Sequence, residues 1–573
     1  MAKEYSKEYK RKVTALAKKR ILAFERHYRP WHDSIRDYNN LYESGLNVEK
    51  ELSDYYYDFK LIYSIIRGLL PSLVLSDPDL ILKPKKDDAI GKVKAVEKVL
   101  NYYWQELKLK KEMKRIVLDT LKSGLGIAKL GWTQKTKYVG PSKQDDCDVG
   151  GQQTFHVNEF VKENDLFVKR VNCLAMRWDI QASSFEDARW VAEQIIKPVE
   201  AVKRSEIYEK SVREELQGSS YGMQDMLVGT EGESRVIEED PDSYVALYEV
   251  HDKERNILLT ISMSCEDPLR FVEYPYPMLD GTHYETLRFH ELTDKIEGLS
   301  LVGLLAPQQK AINRVRSYQV DHVRRVVPKL LVSKMSGMTD ADLKKLANAE
   351  ANTISQVEGN VTDVALLQGQ PIPQDTYSVA DIIRSDMLQT SGTPPSRFGL
   401  AAGGRTSATE IKSMDSSEQF RIEDMRTETE DFASAISRKM IQILCAMLDD
   451  KQVFTIVGDK DFVPIKYTKE DLRGEFDYSV AAGSMARSDR SLDRQQLINL
   501  YQLAAADPTA NKAAILKDIV DTFPNIKDKD RYFIQPTAPE PAPAMPGQAG
   551  PIPSEPSSPV DLQAAMLGQV GKV

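Results

Sequence analysis

The stretch that decides the fold is Thr393-Pro-Pro-Ser-Arg-Phe-Gly-Leu-Ala-Ala-Gly-Gly-Arg-Thr-Ser-Ala-Thr-Glu410, a glycine-rich segment that follows two prolines. Residues 399–406 read G-x-x-x-x-G-R-T, one residue away from the phosphate-loop signature. That signature needs a lysine where Arg405 stands and a hydrophobic strand before the first glycine. Proline cannot donate a hydrogen bond into a sheet, so the prolines argue against that strand. We interpret the stretch as a loop between two helices and keep nucleotide binding as the lesser alternative.

The sequence after this loop predicts a long helix, Ser407 to about Asp450. Ser407 and Glu410 form a capping box, in which the serine oxygen and the glutamate each accept a backbone N–H of the first turn. Apolar residues then recur at spacings of three and four, which predicts one buried face. We interpret the methionines on that face as core residues.

The sequence before the loop predicts two helices around a small insert. The first helix covers 299–327, with its continuous part starting at Pro307, and the second covers 376–389. Between them, Leu330 to Ser333 is strand-like and Asp340 to Ala349 is helix-like. This pattern predicts two helices that bracket a compact α/β insert.

The first of these helices carries polar residues every three or four positions. One hypothesis is that this stripe faces DNA in a channel. The alternative, a solvated face or a set of ion pairs between subunits, is equally compatible with the pattern. The stripe consists of Lys310, Arg314, Ser317, Asp321 and Arg324.

The rest of the chain predicts an α+β protein. Helices are expected at 55–70, 90–122 and 184–196, and a polar surface loop at 134–158. Strands are expected at 125–132, 165–171, 244–250, 257–263, 269–274, 453–457 and 476–480. Residues 491–523 are helix-like, and the proline-rich sequence beyond 536 predicts a disordered tail.

The composition of the chain argues against several classes of function. The 77 basic and 86 acidic side chains give a net charge of −9, which disfavours tight phosphate binding as the main task. The basic N-terminal segment from Lys3 to Arg20 predicts an amphipathic helix, either solvated or facing a nucleic acid or an acidic partner. The four cysteines and seven histidines are scattered, so no metal site, cofactor or cysteine nucleophile is expected.

No apolar run is long enough for a membrane span or a signal peptide, so we expect a soluble, unsecreted protein.

In its order of segments the chain resembles the portal proteins of tailed phages. The resemblance runs from about Tyr55 to Phe523. It rests on five pieces: residues 73–84, 121–132, 298–301 leading into a long helix, the insert after Pro328, and Gly392-Thr-Pro-Pro395 followed by Ser407-Ala-Thr-Glu410.

The resemblance implies a portal-like α+β subunit. It implies an N-terminal wing at 1–298, stem helices at 299–327 and 376–391, a clip at 328–375 and a tunnel loop at 392–407. A wing segment with a long helix would follow at 408–490, then a helical crown at 491–535 and a proline-rich tail at 536–573. The tunnel loop would present Arg397, Gly399, Gly403, Gly404 and Arg405, and the stem would present Lys310, Arg314, Ser317 and Arg324.

The resemblance also implies function and partners. The chain would be a non-enzymatic subunit of a ring, usually dodecameric in this family, through which double-stranded DNA enters and leaves the capsid. The packaging motor (terminase) and later the tail adaptor proteins would dock on the clip, and capsid and scaffold proteins would surround the ring. It would lie at the portal vertex of the virion after assembly in the host cytoplasm. The alternatives are a structural ring without DNA passage and a nucleotide-binding enzyme that uses residues 399–406.

Overall fold

A computed structural model of the 573-residue chain provides the coordinates. It describes residues 5–43, 57–74, 80–86, 91–139, 159–216, 243–276, 279, 281–326, 329–332, 339, 341, 344, 364–367, 373–393, 408–447, 454–457, 464–467, 476–480, 490–504 and 512–521. The chain divides into two units, residues 1–487 and 488–573.

The first unit contains nine of the described helices. They are α1 (Lys7–Glu43), α2 (Leu61–Leu73), α3 (Val93–Glu106), α4 (Leu109–Ser123), α5 (Val199–Arg204), α6 (Lys210–Glu214), α7 (Leu301–Arg325), α8 (Gln374–Ser391) and α9 (Ala408–Met447). The second unit contains α10 (Arg490–Ala504) and α11 (Lys512–Asp521), which agree with the helical pattern expected at 491–523.

Fourteen strands are described, all in the first unit. They are β1 (Leu80–Pro84), β2 (Gly126–Val139), β3 (Glu159–Val171), β4 (Met176–Trp178), β5 (Trp190–Pro198), β6 (Tyr244–Asp252), β7 (Ile257–Ser262), β8 (Arg270–Glu273), β9 (Tyr284–Leu287), β10 (Lys329–Val332), β11 (Val364–Leu367), β12 (Phe454–Val457), β13 (Pro464–Tyr467) and β14 (Phe476–Val480).

All strand pairs are antiparallel. The largest sheet has the order β4-β5-β6-β7-β8, and a three-stranded sheet has the order β3-β2-β9. Three further pairs, β1-β14, β10-β11 and β12-β13, join the remaining strands. The mixture of helices with antiparallel sheets confirms the α+β class.

Two main apolar clusters form the core. The larger one unites α2, α3, α4, α7 and α9 with the three-stranded sheet; Ile65, Trp104 and Ile436 are each at most 1% exposed. In the second cluster, α1 packs on the five-stranded sheet, and Phe24 contacts Trp178 edge to face at 4.7 Å. Helix α9 therefore packs on the three-stranded sheet, and α1 packs on the five-stranded sheet.

Buried charges join the two larger sheets. The Lys129 ammonium on β2 lies 2.6 Å from a Glu193 oxygen on β5 and 2.7 Å from a Glu249 oxygen on β6. Burial acts to lower the pKa of Lys129, but the charges of Glu249 and Glu193 outweigh it, so the pKa is raised. Burial acts to raise the pKa of Glu249, but Lys129 and His283 outweigh it and hold the pKa well below its ordinary value. Both groups stay charged at neutral pH and hold the sheets together.

The basic residues of α1 are largely used within the chain. Arg11 forms two hydrogen bonds with Asp267, and Arg20 pairs with Asp252 at 3.0 Å. The Lys18 ammonium donates to the carbonyl oxygens of Met263 and Cys265. These contacts favour a helix clamped to its own sheet over a surface that faces an acidic partner.

Several expected boundaries were wrong. The helix expected at 90–122 is broken into α3 and α4 at Lys108, whose φ of 51° is left-handed. The break lets Trp104 and Met113, on different helices, both enter the core. The helix expected at 184–196 is instead strand β5 over most of its length, because it lies between two neighbours and its adjacent apolar residues face both sides of the sheet.

Two further predictions need correction. Helix α7 begins at Leu301, six residues before Pro307, because Ser300 caps it and its first apolar residues are buried. The loop expected at 134–158 is partly strand, since β2 continues to Val139; residues 140–158 lie outside the described residues, as does most of 340–349.

None of the described helices is long and apolar enough to cross a membrane. In the same parts of the chain, no group of three or more His, Cys, Asp or Glu side chains is placed to hold a metal ion.

Candidate nucleic-acid interface

A row of buried polar side chains anchors α7. Gln309, Asn313 and Ser317 recur every four residues and are at most 6% exposed. Each accepts a hydrogen bond from a backbone N–H of the segment that leads into α2: Ile62 to Gln309 at 3.2 Å, Phe59 to Asn313 at 3.0 Å and Tyr57 to Ser317 at 2.8 Å. These side chains satisfy backbone donors just before α2 and in its first turn, so the face of α7 toward the core is fixed.

Hydrogen bonds also link the residues of this row to one another. The Gln309 amide donates to the Asn313 side-chain oxygen at 2.8 Å and to the Phe59 carbonyl oxygen, and the Ser317 hydroxyl donates to the Asn313 carbonyl oxygen at 2.7 Å. Sequence reasoning missed this row. The sequence did contain a signal for it: Gln, Asn and Ser recur every four residues on the side of the helix next to Ile312, which is buried.

The expected DNA-facing stripe is partly exposed and partly buried. Lys310 and Arg314 are exposed, and the exposed Tyr318 continues their four-residue spacing. Ser317 belongs to the buried row, so its assignment to the stripe was wrong: its hydroxyl is committed to the Tyr57 N–H. The side chain of Arg324 lies outside the described residues.

Helix α8 packs along α7. The Gln319 amide donates to the Thr376 carbonyl oxygen at 3.0 Å, and Arg316 lies 4.0 Å from Asp381. On α8, Ala380 and Met387 are fully buried. The two helices therefore form a pair, as the sequence predicted, and the strand pair β10-β11 belongs to the insert between them.

The outer surface of the helix pair is partly apolar. Tyr318 and Val323 on α7 are each 62% exposed, and Ile382 on α8 is 57% exposed. Tyr377 and Val379 on α8 are exposed as well. Exposed apolar side chains grouped on paired helices are typical of a surface that another protein chain covers.

The end of α8, where the expected loop begins, lies next to α9. Helix α8 ends at Gly392, whose φ of 67° is left-handed, and Arg421 of α9 donates to the Gln389 carbonyl oxygen at 3.4 Å. Since Ala408 precedes Arg421 by 13 residues, the start of α9 lies about 20 Å along the helix from this contact.

The tunnel-loop residues themselves lie outside the described residues. These are Arg397, Gly399, Gly403, Gly404 and Arg405, together with the expected cap Ser407. Glu410 lies in the first turn of α9, but its side chain is not described, so the capping box stays a prediction.

This geometry is that of a structural subunit: a helix pair with a fixed inner face and an exposed basic and apolar outer face, followed in sequence by the 40-residue helix α9. It is the arrangement expected of a tailed-phage portal protein. The sequence model of the family described as Phage SU10 portal protein matches residues 141–566.

The chain belongs to this family of phage portal proteins, and the resemblance seen in the sequence is confirmed. It is a structural, non-enzymatic protein of the virion's portal vertex. A comparison with curated proteins gave no match.

Proposed function

We propose that this chain forms a closed ring whose axial channel carries double-stranded DNA into the capsid during packaging and out during ejection. Membership of the portal family supports DNA passage and ring assembly in general. The observation that carries the finer proposal is the α7–α8 pair, whose inner face is held by Gln309, Asn313 and Ser317 while its outer face is left exposed.

The segments of the chain take portal roles in this proposal. The wing consists of 1–298 and 408–490, the stem helices lie within 299–327 and 376–391, and the clip is 328–375. Residues 392–407 form the tunnel loop, 491–535 the crown, and 536–573 a tail of unassigned role. The helix pair and the β10-β11 strand pair between its helices support the stem and clip assignments.

Ring formation accounts for the exposed apolar residues of the stem. Val323 and Ile382 would each bury apolar area against a neighbouring subunit, at roughly 25 cal/mol per Å². We propose a dodecamer, assembled in the host cytoplasm with capsid and scaffold proteins. The packaging motor and then the tail adaptors dock on its clip.

Lys310 and Arg314 suit a channel lining because they provide weak, sequence-independent attraction to phosphates. A net charge of −9 limits overall affinity, so DNA is guided without being held. The alternatives, a ring without DNA passage and a nucleotide-binding enzyme, are not favoured by the family assignment.

A packaging assay with charge-reversed stems tests the proposal. The double variant Lys310→Glu and Arg314→Glu should assemble normally but package less DNA, because its lining repels the duplex. Lys203→Glu, on an exposed surface of α5, is the matched control and should package normally. Unchanged packaging by assembled double-variant rings would contradict a role for this face in the channel.

A further inference from the structure

A cleft of about 350 Å³ lies between α1 and the segment that leads into α7. Its walls include Trp31 and Tyr38 from α1 and Leu299 from the segment before α7. Clefts of this size with aromatic walls and a few polar groups are typical of ligand sites. This cleft is separate from the exposed face of the helix pair, and no part of the proposed function uses it.

The aromatic side chain of Trp31 in the cleft wall is held in place by contacts with the core. Trp31 is half-buried and makes edge-to-face contacts with Tyr28 at 5.9 Å and with Trp178 at 5.6 Å between ring centroids. Trp178 is fully buried in the core. The indole of Trp31 is thus fixed against the core and forms a preorganised wall of the cleft.

A buried carboxylate completes the cleft. Glu297 is 5% exposed, and one of its oxygens accepts a hydrogen bond from the Tyr28 hydroxyl at 3.2 Å. Burial raises the pKa of Tyr28 to about 12, so the phenol keeps its proton and remains a donor. Among the described residues, the other oxygen forms a long ion pair, 3.7 Å, with Lys295, whose side chain is 58% exposed.

A buried negative charge with one neutral donor and one loose, solvated cation is incompletely compensated. An aromatic wall beside such a charge attracts cations through the ring face, and a planar guanidinium does this best because it can stack and also pair with both carboxylate oxygens. Leu299, at 39% exposure, offers an apolar surface for the methylene stem of the same side chain.

We propose that this cleft is a docking site for an arginine side chain of another protein chain, with the guanidinium paired to Glu297 and stacked beside Trp31. Lys295 is displaced toward solvent when the arginine enters. The cleft thereby gives the wing a specific point of attachment for a partner that presents an arginine.

Isothermal titration calorimetry on the full-length protein tests the proposal with two matched probes. N-acetyl-arginine amide carries the guanidinium, and N-acetyl-citrulline amide has the same shape without the charge. We expect the arginine probe to bind at least tenfold more tightly. Equal binding of the two probes, or no binding of either, would overturn the proposal.

Variants locate the site. Glu297→Gln removes the charge but keeps an oxygen that can accept from Tyr28, so the fold should persist while the preference for arginine is lost. Lys295→Ala removes the competing cation and should leave binding unchanged or stronger. If Glu297→Gln, shown by its circular dichroism to be folded, keeps the preference, the arginine binds elsewhere.

Free L-arginine separates a protein partner from the amino acid as ligand. Its ammonium and carboxylate groups add charges that a peptide-borne arginine lacks, so it should bind no more tightly than the capped probe. Tighter binding of free L-arginine would show an amino-acid site and contradict docking of a partner chain.

Discussion

Gly124 and Gly298 meet backbone to backbone: a Cβ atom on Gly298 would lie 2.6 Å from the Gly124 carbonyl oxygen. Gly124 ends α4 with a left-handed φ of 82°, and Gly298 stands two residues before the cap of α7. The contact brings the end of α4 and the start of α7 together near the beginning of β2, the central strand of the three-stranded sheet. No side chain fits between them.

Gly124→Ala is therefore expected to destabilise the protein. The left-handed φ alone costs roughly 1–3 kcal/mol for a residue with a Cβ, and the added atom would also overlap the Gly298 carbonyl group. Urea unfolding should show the loss as a lower midpoint. Gly68→Ala is the control, since its Cβ would meet no atom within 4 Å and helix α2 should gain about 0.5–1 kcal/mol. Equal stability of the two variants would contradict this packing.

The variant Asn313→Leu tests how much the buried polar row of α7 contributes to the stability of the protein. The substitution keeps the branched shape of the side chain but leaves the Phe59 N–H without its acceptor, at a cost of about 1–3 kcal/mol. Thermal unfolding should show a lower Tm for this variant. Lys310→Ala, one turn earlier on the exposed face, should change stability by less than about 0.5 kcal/mol. A Tm for Asn313→Leu equal to that of the wild type would mean that the row does not anchor α7.

His251 makes stability depend on pH. It is 2% exposed and stacked on Tyr274 at 3.8 Å, and burial together with the charge of His283 lowers its pKa to about 3. The unfolded chain, with an ordinary value near 6.5, binds the proton more readily. Stability is then full above pH 6.5 and falls as pH drops toward 3, by roughly 1.4 kcal/mol per pH unit for this group.

Urea unfolding at pH 7.5 and pH 5.0 measures this effect. His251→Gln should lose about 2 kcal/mol less than the wild type between the two pH values. His27→Gln, on an exposed part of α1, should lose as much as the wild type. His32, whose pKa burial also lowers to about 3, contributes in the same direction and remains in both variants. If His251→Gln follows the wild-type profile, His251 is not the group responsible.

The elements predictable from sequence were those with strong local signals. The periodic pattern of α9, the three strands β6 to β8 between turn residues, and the pair α7 and α8 around Pro328 all belong to this group. Portal membership followed from their order. The helix expected at 184–196 failed because β5 is decided by its two neighbouring strands, which are distant in sequence or unrecognised there.

The candidate site was only partly predictable for a related reason. Lys310 and Ser317 lie close on the helix, and spacing alone places both in one polar stripe. Which of the polar residues of α7 are buried depends on residues 57–62, which lie more than 200 positions earlier in the sequence. The backbone N–H groups of that segment need hydrogen-bond acceptors, and the side chains of α7 provide them. The burial of Glu297 and the cleft beside it likewise arise only when α1 and the segment before α7 meet.

Deletion of residues 401–404 should separate assembly from DNA handling. The segment lies between α8 and α9 rather than within either helix, so ring formation should be preserved while packaging or retention of DNA is impaired. Particle counts and packaged DNA, measured on the same preparation, distinguish the two effects. Loss of ring assembly in this deletion would argue against a tunnel-loop role.

Electron cryomicroscopy of the purified full-length protein tests the central claim most directly. We predict a closed ring of identical subunits with an axial channel wide enough for duplex DNA, and with Lys310 and Arg314 of every α7 facing that channel. A monomer, an open assembly, or a closed ring without an axial hole would contradict the account.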